Sequence, residues 1–414
     1  MEKVVGTQCS ICQTRYALDE VTYTCPQDGG VLDVVMDVEA IRAATIPEDI
    51  FTSPDQSMWR YLPLLPVNDP GHLGTPLRTV GWTPVYNPQR LAAELGMTHL
   101  WLKDESSNPS ASFKDRASAL LVARAAEIGA EVIVTASTGN AGAALAGMAA
   151  AAGTKAVIFA PKTAPPAKIA QLLVYGSEVI LVDGIYDDAV ALAVAAAEEY
   201  GWYCRNTGYN PFTAEGKKTA GFEIWEQVII ANKLDRPLNV FVSVGDGNII
   251  SGVHKGFKDL YALGWLAHMP HIFGVQSAGS AAIANAFKAG TEVIEPVSAD
   301  TLADSISVDM PSDGLRALRA ATQTGGAYVV VEDQAILSGI ASLGKVGIFS
   351  EPAAATAFAG LRKALSDGLL SRDEPALVLL TGSGLKDVRA AMQAAGEAPV
   401  IAPSLQALKQ YFSA

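Results

Sequence analysis

From about Trp82 onward, short runs of aliphatic and β-branched residues alternate with longer alanine-rich stretches. The short runs predict strands at 100–103, 131–135, 156–159, 178–182, 240–244, 271–275 and 376–381. The longer stretches predict helices at 117–128, 141–152, 164–175, 186–200 and 216–232. Alternation of this kind builds a parallel, doubly wound α/β architecture, because each crossover helix covers one face of a sheet. The weakly polar run 141–160 is mostly Ala and Gly and is broken by Thr154 and Lys155. It reads as a buried helix followed by a strand, not as a membrane span. Ahead of this region, residues 39–70 are irregular, with prolines and the aromatics Trp59 and Tyr61, and read as an arm over a larger body.

Three of the four cysteines lie near the start, as Cys9-x-x-Cys12 and then Cys25-Pro26-Gln27-Asp28-Gly29-Gly30. Paired thiolates on tight turns grip one tetrahedral zinc ion, and Asp28 stands where a fourth thiolate would complete the set. Two readings stay open: a zinc site of Cys9, Cys12, Cys25 and Asp28, or a metal-free ribbon held by Tyr16, Tyr23 and Val31. Of the 414 residues half are hydrophobic and 18% charged, which excludes a disordered chain. A net charge of −13 argues against a binder of nucleic-acid phosphates. The expectation is a soluble cytoplasmic protein with no nucleic-acid or membrane partner. MEKVVGTQC lacks the apolar core of a secretory signal, and so few cysteines make no disulfide framework.

Four strand-to-helix turns are rich in Gly, Ser, Thr and Asn, at the strand ends where open α/β sheets bind ligands. The first, running from Asn108 to Arg116, places Lys114 at a helix start. A cation is disfavoured at that end of the helix dipole, so the lysine either reaches solvent or is chemically tied. The second, Ser137-Thr138-Gly139-Asn140-Ala141-Gly142, offers hydroxyls and amide N–H groups to an anion such as a carboxylate, an ordinary N-cap being the plainer alternative. The third, Ser243-Val244-Gly245-Asp246-Gly247-Asn248, has alternating glycines that let backbone amides approach a phosphate. The fourth, Thr381-Gly382-Ser383-Gly384, ends the last strand with hydroxyls. No GxGxxG follows the first strand and no GxxxxGK[ST] occurs, which removes the fingerprints of dinucleotide-dependent hydride transfer and of P-loop chemistry. Trp101, Trp202, Trp225 and His254 are assigned to structure rather than catalysis.

Taken in this order, the turns resemble the fold-type II pyridoxal-phosphate enzymes, and among them the threonine synthases. The resemblance runs over nearly the whole chain. It rests on Ser112-Phe113-Lys114-Asp115-Arg116, Ser137-Thr138-Gly139-Asn140, the Gly245 loop, Gly347-Ile348-Phe349-Ser350-Glu351-Pro352 and Thr381-Gly382-Ser383-Gly384-Leu385-Lys386-Asp387, with the N-terminal knuckle and the arm Trp59-Arg60-Tyr61 in support. It implies two doubly wound open-sheet α/β domains of the tryptophan synthase β type behind a zinc-ribbon-like segment at 1–35. A large cofactor domain would span 36–116 and 223–395, a small mobile domain 117–222, and a tail helix 396–414.

The resemblance further implies pyridoxal 5'-phosphate, joined to Lys114 as a Schiff base, with Lys114 then moving protons between substrate Cα and Cβ. Asn140 would hold the cofactor's phenolic oxygen, Gly245, Asp246, Gly247 and Asn248 its phosphate, and Thr381 with Ser383 would face its pyridine nitrogen. The amino-acid substrate would meet Ser137, Thr138, Gly139 and Asn140, together with Asn206, Thr207 and Thr213. A neutral hydroxyl beside the ring nitrogen suits elimination and replacement at Cβ or Cγ. The reference reaction is O-phospho-L-homoserine to L-threonine plus phosphate, in a homodimer.

The chain departs from that pattern in three places. The family's arginine after an Asn-Pro pair is replaced in Asn210-Pro211-Phe212-Thr213 by threonine. The usual Asn of the glycine loop is Asp246, and the usual His of the last turn is Ser383. An extra anion a few ångströms from a bound phosphate costs on the order of 1 to 4 kcal/mol. Lys168, Lys217, Lys218 and Lys255 are the cations available to compensate. The expectation is therefore a lyase of threonine synthase type. The alternatives are an ammonia-lyase, dehydratase or β-replacement synthase acting on a hydroxy- or diamino-acid without phosphate, and a non-catalytic binding protein on the same fold. Lys114 kept together with Asn140 and Thr381 argues against the last.

Overall fold

The structure is a computed structural model describing residues 3–413. Met1, Glu2 and Ala414, which belong to the expected N-terminal and tail segments, lie outside the described residues. Near the N-terminus, β1 (Val4–Cys9) pairs antiparallel with β2 (Arg15–Tyr16) and β3 (Leu32–Met36) in the order β2-β1-β3. The strands β4 (Val85–Tyr86) and β5 (Leu100–Asp104) follow. Next come β6 (Val132–Ala136), β7 (Lys155–Pro161), β8 (Glu178–Val182) and β9 (Tyr203–Cys204), which form a parallel sheet of order β8-β7-β6-β9. The chain then returns with β10 (Asn239–Ser243), β11 (His271–Ser277), β12 (Tyr328–Val331) and β13 (Ala376–Leu380). Together with β4 and β5 these complete a sheet of order β12-β11-β10-β13-β5-β4, parallel except at the β4–β5 edge. The smaller parallel sheet is thus inserted in sequence between two strands of the larger one.

The inner strands β10 and β13 are buried at every position, as strands covered on both faces by helices must be. Each strand expected from the sequence is present, with ends within about two residues. Strands β4 and β9 are only two residues long, and β12 is a four-residue run, too short to stand out from loop text. The helix expected over 216–232 starts earlier, at Phe212, and continues through Lys218 in right-handed helical conformation into Thr219–Ile224, then loosens to a π-helical turn at Trp225–Ile230. In the tail, helix covers only Leu405–Ser413 and buries no residue.

The arm packs where the mixture of aromatics and prolines suggests. Trp59 and Tyr61 are fully buried. The Trp59 indole N–H donates to the Leu77 carbonyl at 2.9 Å. Arg60 pairs with Glu226 at 2.7 Å and lies over the Trp82 ring at 4.0 Å, while the Tyr61 hydroxyl donates to the same glutamate at 2.7 Å.

Beneath the arm lies a fully buried ionic cluster. Arg116, two residues into the helix Lys114–Glu127, meets Glu105 at 2.7 Å and Glu223 at 2.5 Å. Lys103 of β5 meets Glu223 at 2.7 Å, and all four side chains are solvent-inaccessible. Burial alone would raise the Glu223 pKa, but Arg116 and Lys103 hold it down to about 2. This contribution to stability is complete above the ordinary glutamate value of 4.5 and is lost as pH falls from there toward 2. Removing one partner of a buried pair strands the remaining charges, so Arg116→Met is expected to cost about 3–5 kcal/mol in urea unfolding at neutral pH. Glu223→Gln is expected to flatten the acid limb of the stability profile, read from unfolding midpoints between pH 3 and 6 (~3 to ~6, the range in which glutamates titrate).

Candidate active site

Lys114 is positioned by a stitch between two turns. The Phe113 amide donates to the Thr381 carbonyl at 2.8 Å, the Ser383 amide donates to the Ala111 carbonyl at 3.1 Å, and Ser112 forms a bridge with Gly382. The start of the Lys114–Glu127 helix is thereby fixed beside the end of β13. Lys114 lines a cavity together with Asn140, Gly245, Asp246, Gly247, Glu351 and Thr381. It makes no hydrogen bond or ion pair among the described residues. Burial pushes its pKa below the usual lysine value, opposed by Asp246 and Glu351.

The glycine loop is tight for a structural reason. Gly247 sits at φ +93°, and a Cβ there would stand 2.6 Å from the Asp313 carbonyl; one on Gly245 would stand 2.7 Å from Ile306 Cα. Asn248 has its side chain turned away, accepting from Lys217 Nζ at 2.6 Å and donating to Asp313 at 2.7 Å. Burial would raise the Asp246 pKa, but Lys114, Lys217, the Asn248 amide and Arg205 hold it below the usual aspartate value. The carboxylate expected as an extra anion therefore stands beside two lysines and an arginine whose charged forms burial disfavours.

In the Ser137–Gly142 turn, Gly139 caps the helix Asn140–Ala152, and the Ser137 and Thr138 hydroxyls are half-buried with no hydrogen-bond partner among the described residues. Asn140 donates its amide to Glu351 at 2.9 and 3.2 Å. Burial raises the Glu351 pKa. Glu351 was visible in the sequence only as part of a motif; the structure puts its carboxylate inside the cavity.

The segment after β9 holds what the sequence reading missed. Arg205 is 1% exposed, donates to Thr207 Oγ1 at 2.8 Å and to Ser118 Oγ at 3.3 Å, and has no hydrogen-bond partner at Nη2. Burial, only partly offset by Asp246, lowers its pKa to about 10. Asn206 accepts from Thr135 Oγ1 and the Ala136 amide, and its buried Nδ2 also lacks a partner. The one signal available was a charged residue at the end of a parallel strand, beside two residues already singled out. Thr213 is fully buried and donates to the Asn210 carbonyl at 2.8 Å; it is not among the cavity-lining residues. Ser383 accepts from the Leu385 amide at 3.3 Å. Of the four lysines considered, Lys218 and Lys255 are tied to Glu215 and Asp259, and Lys168 pairs with Asp304 near the surface. Lys217 alone of the four lies against the loop.

At the N-terminus one ligand atom from each of Cys9, Cys12, Cys25 and Asp28 falls within 4.8 Å of the others. Cys12 and Cys25 sulfurs are 3.7 Å apart, and Cys9 Sγ is 3.3 Å from Asp28. Tyr16 packs beside Cys25, but Tyr23, expected inside the ribbon, instead stacks on Tyr209 with ring centroids 4.4 Å apart.

The family model for pyridoxal-phosphate dependent enzymes matches residues 77–382. The chain belongs to that family. A threonine synthase of Methanocaldococcus jannaschii is 37% identical over 97% of this chain and 98% of its own length. One of Methanosarcina acetivorans is 35% identical over 97% of each. Among solved structures, O-ureido-L-serine synthase superposes with a TM-score of 0.67 at 19% identity, covering 83% of this chain and 99% of its own. Processed threonine deaminase isoform 2 of Solanum lycopersicum gives 0.66 at 23%, covering 85% and 95%. These two structures share the family's fold. The cofactor suits the site: a lysine with no acid partner stands between a cradle of glycine amides, where a Cβ would not fit, and the Thr381 hydroxyl.

Gly142 has no room for a side chain either, because a Cβ would overlap the Ser137 carbonyl oxygen. Gly142→Ala is therefore expected to displace the turn and destabilise the protein by about 1–3 kcal/mol. Differential scanning calorimetry checks this through a lowered Tm, with Gly139→Ala, which meets nothing within 4 Å, as the control.

Proposed function

We propose that this enzyme is a threonine synthase, converting O-phospho-L-homoserine and water to L-threonine and phosphate. The observation that carries the reading is the pair of buried, unpartnered donors, Arg205 Nη2 and Asn206 Nδ2, in a segment whose charge is felt by Asp246, Lys114 and Lys217. Donors left without acceptors in a buried site call for an anion. Arg205 then supplies, from the end of β9, the guanidinium that the Thr213 position lacks, and Thr207, already bonded to Arg205, completes the phosphate seat.

Lys114, Asn140, Thr381 and the amides of the Gly245–Asn248 loop would hold pyridoxal phosphate, Asp246 acting through the loop and Ser383 through its turn. When bound, the cofactor supplies a sink for the electron pair left at the substrate Cα. Ser137, Thr138 and the amides from Gly139 to Asn140 receive the substrate carboxylate at a helix N-terminus. Lys114 Nζ, whose protonated form burial disfavours, takes the Cα proton and returns a proton farther along the chain. A proton leaves Cβ as well, and phosphate leaves Cγ into the Arg205 seat. The two protons taken from Cα and Cβ are balanced by one delivered to Cγ and one returned to Cα, while water gives its hydroxyl to Cβ and its proton to the phosphate. Residues 117–222 would move as the small domain that closes over the substrate and excludes water. The same reading carries a homodimer in the cytoplasm.

Product analysis after adding O-phospho-L-homoserine to the cofactor-loaded enzyme is expected to give threonine and inorganic phosphate in equal amounts. Absence of phosphate would turn the assignment to an ammonia-lyase or dehydratase of hydroxy- or diamino-acids. Arg205→Met is expected to lower kcat/KM for the phosphorylated substrate at least 100-fold (about 3 kcal/mol) while the cofactor absorbance persists; Lys114→Ala is expected to abolish turnover.

The N-terminal cluster would hold a structural zinc ion through Cys9, Cys12, Cys25 and Asp28. Metal analysis of the purified protein is expected to find about one zinc per chain, lost in Cys25→Ser.

A further inference from the structure

A second cavity, of about 190 Å³, lies away from Lys114, between the N-terminal sheet and two helices of the larger α/β unit. Its walls come from the ribbon at Gln8 to Gln13 and Asp33, from the helix Asn248–Ala262, and from the helix Gly314–Thr322 with Gln323 just beyond it. The polar side chains facing it are left unfinished. His254 is 4% exposed and makes no hydrogen bond among the described residues. Lys258, one helical turn on and exposed at the cavity, makes no hydrogen bond or ion pair among them either. Gln323 also has no hydrogen-bond partner there. The two arginines of the lining are engaged at all three guanidinium nitrogens, in part by cavity-lining residues. Arg316 is paired with Asp313 and Asp33, and Arg319 with Glu292 while donating to the Ser10 carbonyl at 2.6 Å.

We propose that this cavity is a second ligand site, taking the phosphoryl group of inorganic phosphate or of a small phosphomonoester. Three cations line it; Arg316 is matched by Asp33 and Asp313 and Arg319 by Glu292, which leaves Lys258 as the one without an ion-pair partner among the described residues. The donors converge from two helices and a loop residue, so a tetrahedral oxyanion can engage them from several directions. The cavity exceeds a lone phosphate, leaving room for an ester substituent beside the uncharged Gln8, Gln13 and Gln323. Burial, with Lys258, Arg316 and Lys255 outweighing Asp33, depresses the His254 pKa to about 3, and burial lowers that of Lys258 against the pull of Asp33 and Asp259.

The site has a route to the catalytic loop. Arg316 grips Asp313 through two hydrogen bonds, at 2.7 and 2.6 Å; Asp313 accepts from Asn248 at 2.7 Å, and Asn248 accepts from Lys217 at 2.6 Å. A ligand that competes with Asp313 or Asp33 for Arg316 thus acts on the residue that ends the glycine loop, which makes the second site regulatory. This inference stands apart from the choice of substrate at Lys114.

The test uses holoenzyme with isotope-labelled histidine in phosphate-free buffer, titrated with inorganic phosphate, with glycerol 3-phosphate and with malonate. The His254 ring resonances, assigned by their loss in His254→Asn, are the readout among five histidines. A saturable shift of those resonances with either phosphoryl compound is expected, weakened at least tenfold in Lys258→Gln and in Gln323→Glu. The tighter of the two phosphoryl probes identifies the source as free phosphate or ester. No shift, an equal response in both variants, or an equal response to malonate would overturn the proposal. Since phosphate at the catalytic centre would be untouched by Lys258→Gln, a shift that survives in that variant is traced to the centre and counts against the second site.

Discussion

Arg116 is an arginine with no water around it, and two carboxylates on different segments of the chain must both reach it for the fold to close. Glu105 comes from the turn after β5, and Glu223 from a helix that lies beyond the whole inserted sheet. The Trp82 amide and the Thr83 hydroxyl close the remaining valences of the two glutamates. Such a cluster does little for net stability compared with a well-packed apolar equivalent, but it admits one arrangement of its members. Because Arg116 is two residues from Lys114, that arrangement also sets where the reactive amine stands. The helix register, the arm and the return of the chain after the small sheet are all referred to the same guanidinium.

A comparable balance holds at the glycine loop. Read as text, Asp246 in place of asparagine was an objection to any site that must gather anions. In space it is the counter-ion of a cationic pocket, with Lys114, Lys217 and Arg205 around it. Asp246 and the basic groups around it form one electrostatic unit, and neither is interpretable without the other. Under the proposed function Arg205 is the group that would receive the substrate phosphate, and Asp246 offsets part of its charge.

How much of this was legible beforehand follows from what each feature depends on. The parallel strands could be read because buried strands are written as contiguous β-branched runs, and the turns because Gly, Ser and Asn cluster where backbone must approach a ligand. The residues brought to the cavity, Lys114, Asn140, Gly245, Asp246, Gly247 and Thr381, were all found that way. Arg205 was not, since nothing local distinguishes a buried arginine beside a strand end from an exposed one; its burial is a property of the packed small sheet. The fate of the lysines was hidden for the same reason, as Lys218 is held in part by Asp259, 41 residues along the chain, and Lys255 in part by the comparably distant Glu215. The π-helical turn at Trp225–Ile230 within the expected 216–232 helix likewise carries no mark in the sequence pattern.

The tyrosine that left the ribbon gives the N-terminal segment a different standing from a decorative appendage. Tyr23 accepts a hydrogen bond from the Cys204 amide at 2.9 Å and lies flat on Tyr209, so it touches the chain on both sides of Arg205, Asn206 and Thr207. The ribbon is in effect the outer clamp of a hairpin-like span whose inner face holds the unpartnered donors. A chain without the N-terminal segment would keep Arg205, Asn206 and Thr207 but lose the tyrosine that braces the residues on either side of them. Under the proposed function, grafting the catalytic body of this chain onto another N-terminus would leave its anion seat without that brace.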